Sequence, residues 1–183
     1  MTLPVVVVLV FAIAALTHTS SAPHPSASNA PPPPITVAAP PSSPATEAAC
    51  TKVLEQLPTQ LDGLNPRVVH TNPSSPFVVA WGDPAVVLSC GVARPGGLKP
   101  GSAEFVPVVD GVAFFTTDTG DRYVYTTIDR AAYVQVSLPK SRGAGPLPRL
   151  ADAIARALPA VCVPQAGPGE TPPAPSTLCT NRK

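Results

Sequence analysis

An α+β fold is what this chain predicts: an antiparallel sheet of about five to six strands with an N-terminal and a C-terminal helix on one face, disulfide-stapled. Three observations carry that expectation. Short β-rich runs alternate with turn residues between residues 67 and 138. Apolar positions recur at helical spacing on either side of that stretch, near residues 46–56 and 147–158. Four cysteines, an even number, all lie beyond an apolar N-terminal segment.

The first helix is expected over Thr46–Gln56, with Thr46 as its cap and Val53, Leu54 and Leu57 as its apolar stripe, stopped by Pro58. A brief second turn around Thr59–Leu64 follows, closed by Asp62-Gly63. The strand candidates are Arg67–His70, Phe77–Trp81, Ala85–Cys90, Glu104–Val109, Val112–Thr117, Arg122–Thr127 and Ala132–Leu138. Asp110-Gly111 between β-formers predicts a tight hairpin, Thr119-Gly120-Asp121 a second turn and Asp129-Arg130 a third. Strands from 104 to 138 therefore read as a meander. Val124, Thr126 and Ile128 should face one side of it, and Tyr123, Tyr125 and Thr127 the other. The last helix, Leu147–Leu158, places Leu147, Leu150, Ala151, Ile154, Ala155 and Leu158 on one stripe, with Arg149 and Arg156 toward solvent.

Proline sets the boundaries. Ten of the 27 prolines precede residue 46 and five follow residue 163, so the foldable part is residues 46–163. Residues 1–22 read as a signal peptide or N-terminal anchor: the apolar run Leu3–Leu16 is shorter than a comfortable membrane span, and Ser20-Ser21-Ala22 offers small residues for cleavage. No Lys or Arg precedes Lys52, so a retained anchor stands beside a cleaved signal. Residues 23–45 read as a Pro/Ala/Ser-rich disordered linker, and residues 164–183 as a Pro-rich C-terminal tail. The expected location is extracytoplasmic, either secreted or envelope-associated.

Location governs the cysteines. In an oxidising compartment Cys50, Cys90, Cys162 and Cys179 are expected as two disulfides, Cys50–Cys90 and Cys162–Cys179, with Cys50–Cys162 an open alternative. None stands at C-x-x-C spacing and no His is interleaved, so neither a metal nor another cofactor is expected. Twelve Lys plus Arg against eleven Asp plus Glu, scattered without a run, set nucleic acid aside as a partner. The expected partner is another cell-envelope protein or a wall component, with membrane contact only through a retained N-terminal segment.

Residue types that carry chemistry are sparse. His70 is the one histidine inside the foldable part, beside Asn72, Pro73 and Ser74, and reads as a surface residue. Asp118-Thr119-Gly120 has the letters of a single-motif aspartic protease, but Thr116-Thr117 before it and Asp121-Arg122 after it suit a solvated turn. Asp118 and Asp121 fall short of the six to eight oxygens of a calcium site. No catalytic residue is assigned. The distinctive segment is Ala80–Pro95, where Gly82-Asp83-Pro84 forms a corner beside the only Trp. Trp81, Asp83 and Arg94 are its candidate ligand-binding residues, with small-ligand binding or hydrolysis as the alternative to a non-enzymatic binding or structural role.

That segment, W-G-D-P-A-V-V-L-S-C-G-V-A-R-P, resembles the signature of an actinobacterial family of exported or membrane-anchored proteins, domain of unknown function 3515. Ala49-Cys50 with Leu57-Pro58, Val109-Asp110-Gly111-Val112, Ala132–Pro139 and Leu158-Pro159 resemble further parts of it, over residues 48–163. The family often has a Trp after the hairpin, where this chain has Ala113-Phe114. The resemblance implies location and architecture and transfers no catalytic residue.

Overall fold

The computed structural model describes residues 31–41, 43–98 and 106–161. Within them nine strands and two helices run in the order β1 (Ile35–Ala38), α1 (Pro44–Gln56), β2 (Pro66–Arg67), β3 (Val69–Asn72), β4 (Val78–Trp81), β5 (Val86–Cys90), β6 (Val108–Val109), β7 (Val112–Asp118), β8 (Arg122–Thr127), β9 (Val134–Pro139) and α2 (Pro146–Ala157). Seven strands form one antiparallel sheet in the order β2-β4-β5-β9-β8-β7-β6. The α+β class, the two helices and the meander are as the sequence predicts.

The meander is closed by its turns. Val109 pairs with Val112 across Asp110 (φ 46°) and Gly111 (φ 76°), two left-handed residues as a tight two-residue hairpin requires. Arg130, buried, ties the turn after β8 to this hairpin: it pairs with Asp129 at 2.8 Å and donates to the Gly111 carbonyl at 2.9 Å. Thr127 secures the same turn, donating to the Ala132 carbonyl and accepting from the Val134 amide.

The registers put alternate residues on opposite faces. Val86, Leu88 and Cys90 of β5 share a face with Val134, Val136 and Leu138 of β9, and with Phe114 of β7. All are buried. The helices cover this face. α2 contributes Leu147, Leu150, Ala151 and Ile154, while Arg149 and Arg156 stay exposed. α1 contributes Cys50 and Val53. The Cys50–Cys90 disulfide joins α1 to β5 across a sequence separation of 40, with Cα atoms 5.6 Å apart. A closed loop of that length stabilises by roughly 3–4 kcal/mol on the chain-entropy model. Cys162 and Cys179 lie outside the described residues.

Three local expectations are corrected, and one turn is found where it is expected. Residues 23–45 do not read as linker throughout: Ile35–Ala38 is a strand, paired in parallel with β3. Its Ile-Thr-Val run is β-branched and free of proline, which suits an extended ladder. The cap of α1 is Ser43, whose hydroxyl accepts from the Thr46 amide at 3.3 Å, so the helix starts at Pro44. Pro44 fits there because a first-turn amide has no helical partner. The turn expected around Thr59–Leu64 is present and closes at Asp62-Gly63. Leu61 and Leu64 exchange backbone hydrogen bonds across Asp62 (φ 48°) and Gly63 (φ 79°). Finally, the run expected as one strand at 67–70 is split at Val68 into β2, which joins the main sheet, and β3, which joins β1.

Candidate functional site

The expected ligand corner is built as a clamp. Trp81 is 3 % exposed and its indole N–H donates to the Thr59 carbonyl at 3.2 Å, so it plugs the core beneath the β4–β5 turn. Gly82 takes φ 71°, and a Cβ there would stand 3.0 Å from a Leu64 methyl. Asp83 is exposed and pairs with the Arg67 guanidinium at 2.9 Å. Arg142 donates to the carbonyls of Asp83 and Pro84. Arg94 is not part of this corner. Five residues of β5 at about 3.3 Å each carry the chain to the far end of the sheet, where exposed Arg94 donates to the Leu98 carbonyl at 3.3 Å. Sequence proximity placed Asp83 and Arg94 together; the strand between them sets them apart.

Asp83 instead stands on the rim of a cleft of about 420 Å³, walled on one side by Ile35, Thr36 and Val37 of β1. Its floor is the sheet face opposite the helices. Ser89 of β5 pairs with Gln135 of β9, and Val87 pairs with Ser137, so these side chains stand side by side. Arg122, at the start of β8, reaches over them. Its Nε donates to Ser137 Oγ at 2.7 Å, and its Nη2 to the carbonyls of Ala85 at 2.6 Å and Ser137 at 2.9 Å. Its Nη1 has no partner among the described residues. Burial holds the Arg122 guanidinium below the ordinary arginine value, against the opposing pull of Asp121.

Arg67, with a side chain only 7 % exposed, joins the cleft's parts. Its Nε donates to the Pro33 carbonyl at 2.8 Å, just ahead of β1, and its Nη1 to the Gly82 carbonyl at 3.2 Å as well as to Asp83. The cleft therefore carries two guanidiniums against one carboxylate. It also offers the hydroxyls of Ser89 and Ser137 and the amide of Gln135. This set suits recognition of a polar, negatively charged group.

The remaining sequence candidates lie elsewhere. His70 is exposed on β3 opposite Thr36. Asp118 ends β7 and caps its turn, accepting from the Gly120 amide at 2.8 Å and from Lys140 at 2.8 Å. The Lys140 hydrogen bond holds the Asp118 carboxyl below the usual carboxylate range, and the same bond raises Lys140. Lys140 also lies 4.7 Å from the Tyr123 ring centroid. Among the described residues no group of His, Cys, Asp or Glu could hold a metal ion.

The family described as a protein of unknown function (DUF3515) matches residues 1–163. The chain belongs to this family. Membership spans both the strand-rich core and the cleft, whose residues all fall inside the matched range. No curated protein and no solved structure matches the chain. The disulfide is compatible with an extracytoplasmic location. Among the described residues no helix is long and apolar enough to cross a membrane.

Proposed function

We propose that this chain is an exported, envelope-associated binding domain that captures another envelope component in the cleft between β1 and the open face of the sheet. The observation that carries the reading is Arg122: a partly buried guanidinium, fixed by three hydrogen bonds, with one nitrogen left unpartnered in a cleft lined by hydroxyls. Fixing a charge in that way costs desolvation energy, which an incoming anionic group would offset. The disulfide and the apolar N-terminal segment support export, and the Pro-rich residues that follow support a domain held at a distance from its attachment. Asp83 keeps a place in this site as the partner of Arg67 on the rim. Trp81 supports the corner from within.

The test is site-directed photocrosslinking in intact cells, from Gln135 in the cleft and from Arg149 on the exposed side of α2. Envelope adducts formed from Gln135 alone support the reading. Equal adducts from both positions, or adducts with cytoplasmic proteins only, overturn it.

A further inference from the structure

The wall and the floor of the cleft present different chemistry. In the β1–β3 ladder the Ile35 amide donates to the Val68 carbonyl at 3.0 Å, and Ile35 pairs with Val69. In a parallel ladder alternate residues turn both backbone groups toward the same neighbour. Ile35 and Val37 therefore face β3, and the N–H and C=O of Thr36 lie on the opposite edge. That edge has no strand partner among the described residues, and Thr36 lines the cleft. An unpaired strand edge is a template for an extended peptide backbone.

On the floor, Arg122 Nη1 is free to donate. Ser137 Oγ already accepts from Arg122 Nε, so its own proton remains available. Ser89 Oγ has no hydrogen-bond partner among the described residues. Asp83 pairs with Arg67, while Arg122 forms no ion pair among the described residues and feels only the longer-range pull of Asp121. One positive charge matches a monoanion such as a carboxylate better than a phosphate dianion.

Resting on the binding reading above, we infer that the cleft takes the C-terminal end of an extended peptide. The peptide's main chain adds to the open edge of β1, and its terminal carboxylate is held by Arg122 Nη1 and the hydroxyls of Ser89 and Ser137. Specificity lies in backbone and carboxylate, so varied side chains are accepted.

The test is an NMR titration of the full disulfide-bonded chain with acetyl-tetra-alanine bearing a free carboxylate, with its C-terminal amide, and with inorganic phosphate. The acid is expected to shift the Thr36, Ser89 and Gln135 amides saturably. The amide should bind at least about tenfold more weakly, through loss of the charge-assisted hydrogen bonds. Phosphate should not compete. Thr36→Pro removes only the outward N–H and leaves the β1–β3 ladder intact, so it should weaken binding with an unchanged Tm. Ser89→Ala should do the same from the floor. Arg122→Lys is measured beside them, because Arg122 also ties β8 to Ala85 and Ser137. Equal binding of acid and amide, or competition by phosphate, overturns the carboxylate assignment. No saturable shift with any probe overturns the inference as a whole. Crosslinks from Gln135 that persist in cells would then leave the binding reading standing with a different occupant.

Discussion

The two faces of the main sheet are made by the same strands and share almost nothing chemically. Toward the helices β5 and β9 present Val86, Leu88, Val134, Val136 and Leu138; toward the other side they present Val87, Ser89, Gln135 and Ser137. The helix side is a packed apolar layer, and Phe114 meets Tyr125 edge-on there with ring centroids 6.2 Å apart. The opposite side carries hydroxyls and an amide, partly engaged by Arg122 and Thr126, and brings in two arginines. A one-residue slip of β9 would exchange the two sets, so the register that builds the core also builds the cleft. Stability should reside on one face and binding on the other.

Adjacent phenylalanines on β7 put that division to its strongest test. Phe114 is fully buried on the helix side, and Phe114→Ala should cost about 3–5 kcal/mol. Phe115 faces the other way, partly exposed beneath Gly97, and Phe115→Ala should cost about half as much or less. Urea unfolding of both variants checks this; equal losses would break the contrast between faces. Next in size is the disulfide. Replacing Cys50 and Cys90 together by Ser should lower stability by roughly 3–4 kcal/mol. The cleft amides should keep their NMR positions at low temperature, because the bond lies on the helix side. At the boundary between the faces, Gly82→Ala places a Cβ at φ 71° and against Leu64, at a cost of about 1–2 kcal/mol. Thermal unfolding should show the loss, with Trp81 fluorescence reporting the disturbed corner.

The smallest effect is the pH dependence at the end of β7. Asp118 is depressed by its bond from Lys140, so its contribution is present above the unfolded carboxylate pKa and fades as pH falls through the lower folded one. Lys140 is raised by the same bond, so its contribution is present below the unfolded lysine pKa and fades as pH rises through the higher folded one. Both groups are solvent-exposed and the effect is slight. Asp118→Asn should remove the acid-side dependence, which lies below the unfolded carboxylate pKa, read as Tm against pH beside the unmutated chain.

Much of the helix side was legible in the sequence. The stripe Leu147-Leu150-Ala151-Ile154 obeys helical spacing, Asp110-Gly111 dictates a hairpin, and the alternation in β8 groups Tyr123, Tyr125 and Thr127 on one side, which the structure turns toward the helices. The cleft was not legible as a site. Its residues come from β1, β2, the β4–β5 corner, β5, β8 and β9, and its polar members are spread along the chain from Thr36 to Ser137. The signal that was available is the alternation Val134-Gln135-Val136-Ser137-Leu138, whose polar members define a second, unfilled face. β1 was hidden by composition: prolines on both sides of Ile35–Ala38 give the stretch the look of a spacer, and what makes it a strand is its partner Val69–Asn72. The Trp81–Asp83–Arg94 corner misled because closeness along the chain stood in for closeness in space.

The Cys50–Cys90 bond has a topological consequence as well. Its loop encloses β2, β3 and β4, including Val68, which is 58 % exposed at the break between β2 and β3. A protease that cuts there severs the polypeptide without separating the molecule, since the two pieces remain one covalent body. On a gel such a nicked chain runs as a single species until reductant is added, and then as two. Wherever reductants are scarce, such a bond turns a break in the backbone into a tolerated scar.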